Sequence, residues 1–273
     1  MHDRSAKKRP QQNQKQKRVE VTDSNGWTHV TTHGNARRTI RNTSSSCSSS
    51  SPSTPHRYSG SETSLSPAEA PRNLSLDDLR HQFQGYRARW EASESWRVIR
   101  DVLERRLTIE YGSGAGAGRI DNIICVGLGS PSGFLKGGWV DRRSVSMYQL
   151  AALVCIRDLF AKASPHTLWI SAQDPVFNAH DKSLLSSLSI TTIEHPHAFN
   201  IINQNTLLFC PGAERTHLEL LLASNPSIVF GGPLEDTGSE VIGQFLKCRK
   251  ESVRVPAFEG NEHAFWGVRV YFG

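Results

Sequence analysis

No two of the five cysteines (Cys47, Cys125, Cys155, Cys210, Cys248) stand as Cys-x-x-Cys, and three lie in apolar runs. This is the usage of a reducing compartment, in which buried thiols act as small hydrophobes. The start, Met-His-Asp-Arg-Ser, has no apolar h-region, so no secretory signal is expected. No apolar run approaches the roughly 20 residues that span a bilayer, so no membrane contact is expected. There is no Gly-x-Ser-x-Gly elbow for a serine nucleophile. His195-x-His197 lacks a third ligand at a readable spacing, which leaves no metal site. No internal repeat is present. A chain of this kind is expected in the cytosol, the nucleus or both.

The chain has 273 residues with a net charge of +6, unevenly placed. Residues 1–41 hold ten Lys and Arg against three Asp and Glu, giving +7, and the remainder carries −1. The basic balance therefore belongs to the tail. A basic tail binds nucleic acid, anionic lipid or an import receptor, or only keeps the chain soluble. For the folded part, nucleic acid is not an expected partner. Lys7-Lys8-Arg9 and Lys15-Gln16-Lys17-Arg18 can be read as a two-part import signal. Trp27, in Gly26-Trp27-Thr28, is unusual in a polar tail and is the candidate docking residue for an unidentified protein partner; the alternative is a chance aromatic. Residues 43–66 hold twelve serines, flanked by Pro67, and cannot offset the entropy of ordering. Residues 1–72 are thus expected to be a disordered basic and Ser-rich tail, and 73–273 an α/β domain.

Within that domain, residues 75–108 read as a helical lead-in. Ser75 is placed as an N-cap, and Leu76, Leu79, Phe83, Tyr86 and Trp90 recur at spacings of three and four. The stripe fails at Ser93-Glu94-Ser95, which predicts a kink or a new helix, and resumes from Ile99 to Leu107. The core occupies 119–273. Ile120–Val126 reads as a buried strand, 127–133 as a glycine turn, and 144–160 as an enclosed helix. Further strands are expected at 166–171, 190–194, 206–210 and 227–230, alternating with helices. The alternation from Ala264 to Phe272 predicts a long, half-buried antiparallel strand at the sheet edge. The fold class is Rossmann-like α/β: a mostly parallel sheet flanked by helices, with an antiparallel C-terminal edge strand.

In such a sheet, ligands bind beyond the carboxyl ends of the strands. The residues expected there are Gly127, Gly129, Asp174, Glu194, Pro211 and Gly231, with His195 and Gly232 beside them. The glycine turn could cradle a phosphate on backbone N–H groups, or could simply permit a sharp exit from a buried strand. Its spacing is Gly-x-Gly-x-x-x-Gly, and the next helix starts about ten residues later, unlike a dinucleotide fingerprint. Asp174 stands where a ribose-binding acid would, or starts an Asp-Pro turn. Tyr148 and Gln149 lie on an otherwise apolar helix; either they contact a ligand near the strand ends or they bond to loop 130–143.

Ile124-Cys125-Val126-Gly127-Leu128-Gly129 followed by Tyr148-Gln149-Leu150-Ala151 resembles the SRR-type domain, the "sensitivity to red light reduced" family. Asp174-Pro175-Val176-Phe177, Thr206-Leu207-Leu208-Phe209-Cys210-Pro211 and the stretch 258–265 with Asn261 resemble its later segments in the same order. Gly26-Trp27-Thr28 is similar to an element ahead of some members' domains, and the Ser-rich tail resembles that of a fungal-type member. Members often carry Pro-His-Cys where this chain has Pro211-Gly212-Ala213, so no role of that His or Cys carries over. The resemblance implies a non-catalytic regulatory or interaction protein, tied to signalling, circadian, cytoskeletal or haem-related regulation. No reaction is attached to the family and no cofactor is assigned. The alternative is a small-ligand-binding protein or enzyme using nucleotide, S-adenosylmethionine or haem at the carboxyl edge.

Overall fold

A computed structural model describes residues 18–22, 28–32, 66–112, 119–134, 141–163, 167–235 and 237–273. The chain forms two compact units, Met1–Ser61 and Glu62–Gly273. In the first unit, β1 (Arg18–Thr22) pairs antiparallel with β2 (Thr28–Thr32), Arg18 opposite Thr32. Both strands are rich in Val and Thr, whose branched side chains suit a pleated ribbon. Trp27, the basic cluster at 7–9 and the serine-rich stretch up to residue 65 lie outside the described residues.

The second unit opens with a short segment, 66–70, laid against the domain. Then α1 (Leu76–Glu91) starts at a capping box: the Asp78 N–H donates to Ser75 Oγ at 3.1 Å, and the Ser75 N–H donates back to the Asp78 carboxylate. The helix ends where the apolar stripe fails. Ser93 Oγ accepts the Trp96 N–H at 3.1 Å, and a separate helix, α2 (Glu94–Gly112), begins. Leu79, Phe83 and Trp90 of α1 and Ile99, Val102, Leu103 and Leu107 of α2 are buried in one core.

The strands and helices then alternate. They are β3 (Asn122–Val126), α3 (Arg142–Ala163), β4 (Trp169–Gln173), α4 (Ala179–Ser187), β5 (Thr191–Thr192) and α5 (Ala198–Ile201). There follow β6 (Thr206–Cys210), α6 (Arg215–Leu222), β7 (Ile228–Gly231), α7 (Glu240–Lys247), β8 (Glu251–Arg254) and β9 (Arg269–Phe272). The seven-stranded sheet runs β5-β4-β3-β6-β7-β9-β8. Its first five strands are parallel, and β9 pairs antiparallel with both β7 and β8. The sheet is Rossmann-like and mostly parallel, as its sequence pattern predicts.

Two cores explain the continuous hydrophobic runs. Ile123 and Cys125 of β3, Leu207 and Phe209 of β6, and Ile228 and Phe230 of β7 face α1–α4. Ile124 and Val126, Leu208 and Cys210, and Val229 face the opposite layer with α6 and α7. Helices thus cover both faces, the arrangement a parallel sheet requires. Helix α3 lies between α1, α2 and the sheet, so Met147 and 150–154 are fully enclosed. By length and composition it is apolar enough to cross a membrane, which the sequence reading missed; here 67% of its 18-residue apolar window is buried inside the domain.

The C-terminal strand is shorter than its alternation predicts. Residues 262–267 form turns, and Gly267 has φ +71°, which breaks extended backbone. β9 also lies one position in from the edge, with β8 outside it, so Val270, Tyr271 and Phe272 are all buried.

Candidate functional site

The strand register puts the five parallel strand ends on one rim. Val126 lies opposite Gln173, Cys125 opposite Phe209, Ala172 opposite Thr192 and Cys210 opposite Gly231. The rim therefore gathers Gly127, Asp174, Glu194, Pro211 and Gly231, five of the expected residues. In strand order it has its switch point between β3 and β6, where connections leave in opposite directions. That crevice is closed at its floor by backbone. Gly127 has φ +76°, and a Cβ on it would stand 3.1 Å from the Ala213 nitrogen; one on Gly212 would stand 2.5 Å from the Gly127 carbonyl oxygen.

The glycine turn folds back on carboxylates of its own chain. The Gly129 N–H donates to Asp174 Oδ2 at 2.7 Å, and the Val176 N–H donates to Asp174 Oδ1 at 3.0 Å. Burial pushes the Asp174 carboxyl above the ordinary aspartate range, against the downward pull of those two N–H bonds and, more weakly, of His217. Deeper in, Asp181 is fully buried. It accepts the Ser130 hydroxyl at 2.6 Å, the Ser132 N–H at 2.8 Å and the Asn178 N–H at 3.0 Å. Asp181 also stands in the first turn of α4, where the helix dipole favours a negative charge, and Asn178 caps that helix in return. Two backbone donors of the turn, the Gly129 and Ser132 N–H groups, are thus bonded to Asp174 and Asp181, and a phosphate entering the turn would have to displace these carboxyl groups.

Beside this turn lies a cavity of about 220 Å³ at the ends of β4 and β5, lined among others by Pro67, Asp174, Phe177, Lys182, Glu194 and His195. Drug-sized ligand pockets hold roughly 300–1,000 Å³, so this one is small. Lys182 Nζ and the exposed Glu194 carboxylate pair at 3.1 Å. Gln173 ends β4 buried; its Oε1 accepts the Ala198 N–H at 2.8 Å, which turns its Nε2 toward His195 Nδ1 at 3.2 Å. His195, Phe199 and His217 then form a triangle of rings with centroids 5.5, 5.8 and 6.3 Å apart. Among the described residues, no group of three or more His, Cys, Asp and Glu side chains forms a metal-holding cluster.

Tyr148 and Gln149 are not brought to the glycine turn. The Tyr148 ring packs edge-on between Tyr86 and Phe258, 4.7 Å from each. Gln149 Nε2 donates to the Ala264 carbonyl at 2.9 Å, so its partner is the C-terminal loop rather than loop 130–143. Sequence reading missed Asp181, Asn178, Gln173 and His217. A signal did exist for two of them: Asn178 and Asp181 stand three apart across the start of a helix, a capping-box spacing.

No curated protein and no solved structure matches the chain. A family model, the SRR1 domain, matches residues 99–272. The match runs from within α2 to the last residue of β9 and takes in the whole sheet of the second unit, with its glycine turn and rim. On that span, which covers well over half of its length, the chain belongs to the SRR1-domain family.

Proposed function

We propose that this SRR1-type protein is a regulatory, interaction-type scaffold in which the Rossmann-like frame does not serve a nucleotide. One observation carries the reading: the glycine turn gives its Gly129 and Ser132 N–H groups to Asp174 and Asp181. A partner contact through the basic tail and Trp27, in the cytosol or nucleus, belongs to the same proposal. Thermal-shift measurement of the full chain with nucleotides, S-adenosylmethionine and haem tests it. A ligand at 100 times its Kd would raise the Tm of a domain this size by on the order of 5–10 °C. We expect no shift; a shift of that size with any of the three overturns the reading. Pull-downs with the full chain and with a deletion of residues 1–72 test the tail. Different partner sets are expected, and identical sets would remove it from the proposal.

The cavity beside Asp174 favours a second reading, a small hydrogen-bonding ligand held by Asp174, His195 and Lys182. Its volume fits a molecule smaller than a nucleotide, and a ligand whose binding is lost in Asp174→Asn would favour it.

A further inference from the structure

We propose that Ser66 is a phosphorylation site whose modification unseats a strap that the chain lays across the carboxyl rim. Residues 67–69 run between the loops that leave β3 and β4. Ala68 is buried; its N–H donates to the Val176 carbonyl at 2.9 Å, and its carbonyl accepts Asn178 Nδ2 at 3.0 Å. The Glu69 carbonyl accepts the Phe134 N–H at 3.0 Å, forming an antiparallel bridge. The fit is tight, since a Cβ on Gly133 would stand 2.6 Å from the Ala68 Cβ. Pro67 forms part of the wall of the rim cavity with Asp174, Lys182 and Glu194. Release of the strap therefore removes one wall of the cavity.

Ser66 is exposed and directly precedes Pro67, the pattern that proline-directed kinases take. With the strap seated, Ala68 is buried two residues on, so a kinase cleft takes Ser66 from the released strap. In the transfer, Ser66 Oγ attacks the γ-phosphorus of ATP. The new O–P bond forms as the bond to ADP breaks, and the hydroxyl proton passes to the kinase's base. The product carries about two negative charges. It would re-seat beside a rim holding Asp174 and Glu194, where the Lys182 ammonium is already paired with Glu194 at 3.1 Å. Like charge opposes re-seating, so modification holds the strap open. The inference concerns the strap alone and stands whether the rim meets a protein or a small molecule.

The test uses the full chain with phosphoserine incorporated at position 66. Hydrogen exchange is followed at the Ala68 and Phe134 amides, with the β6 amides as a check on the core. The Ala68 amide of the strap and the Phe134 amide that bonds to it should both exchange about tenfold faster than in the unmodified chain, while β6 stays protected. The variant Ala68→Arg, which cannot seat against Gly133, should show the same fast exchange without phosphate. A proline-directed kinase should also phosphorylate Ser66 about tenfold faster in that variant. Unchanged exchange in the phosphorylated chain overturns the proposal. So does slower exchange that Lys182→Ala abolishes, which would mean the phosphate clamps the strap. Equal kinase rates on the two chains overturn the order of events.

Discussion

Replacing Asp181 by alanine strips three donors of their acceptor at once: the buried Ser130 hydroxyl and Ser132 N–H and the half-buried Asn178 N–H. A buried donor left unsatisfied costs about 1–3 kcal/mol. The hydroxyl can rotate toward another partner, but the two amides are fixed by the backbone and cannot. The Asn178 N–H bond is also one half of the capping box of α4, whereas the other half, the backbone N–H groups of His180 and Asp181 on Asn178 Oδ1, survives, so no separate cost is added. The expected loss is therefore about 3–5 kcal/mol, a large share of the stability of a domain that holds roughly 5–15 kcal/mol in all. Asp181→Asn keeps the shape and one acceptor oxygen, and should lose about half as much. Guanidinium chloride unfolding with linear extrapolation measures both, and an unchanged slope would place the loss in the native state. A cycle with Ser130→Ala sharpens the test, because the Ser130 hydroxyl also accepts the Gly133 N–H at 2.8 Å. The two changes should couple by about 1 kcal/mol or more. An Asp181→Ala loss below about 1 kcal/mol, or full additivity with Ser130→Ala, would refute the claim that this carboxylate organises the turn.

Gly212→Ala drives a methyl into the Gly127 carbonyl and should destabilise by about 1–3 kcal/mol, whereas Gly85→Ala, on the exposed face of helix α1 with nothing within 4 Å, should stabilise by about 0.5–1 kcal/mol; the same unfolding curves read both. Asp174 binds its proton more tightly in the folded chain than at its ordinary value of 3.8, so from there up to its raised folded value it makes the protein lose stability as pH rises. Asp174→Asn removes that contribution, and its stability should fall less than wild type across this window; equal slopes would refute it. Burial pushes the Cys155 and Cys210 thiols up to about 12 and that of Cys125 well above its ordinary value, while Cys248 is exposed. A native Cys47→Ser chain should therefore show one fast-reacting thiol with a disulfide reagent, and a second fast thiol would contradict the burial.

Much of the frame was legible because its signals are local. Apolar runs closed by glycine or proline marked β3, β6 and β7, and their ends at 127, 211 and 231 were placed on the rim that the structure shows. Partners distant in the chain were not legible. Periodicity tells that Gln149 faces inward, but its acceptor is Ala264, 115 residues away, and no pattern along α3 points there. Asp181 reads as a helix-cap residue; that it also holds Ser130, 51 residues earlier, follows from the sheet order alone. Composition averaged over the tail placed Ala68 with the serines, although one buried methyl and three hydrogen bonds fix 68–69 to the domain. The alternation from 264 to 272 overstated β9 because an alternating sequence cannot reveal a left-handed glycine at 267.

Gly127 and Gly212 meet main chain to main chain at the exits of the two central strands. Such a seam acts like a rivet: with no side chain between them to swing aside, β3 and β6 cannot splay apart in the manner of a hinged cleft. The centre of the sheet thus serves as a fixed anvil, whatever meets the rim beside it.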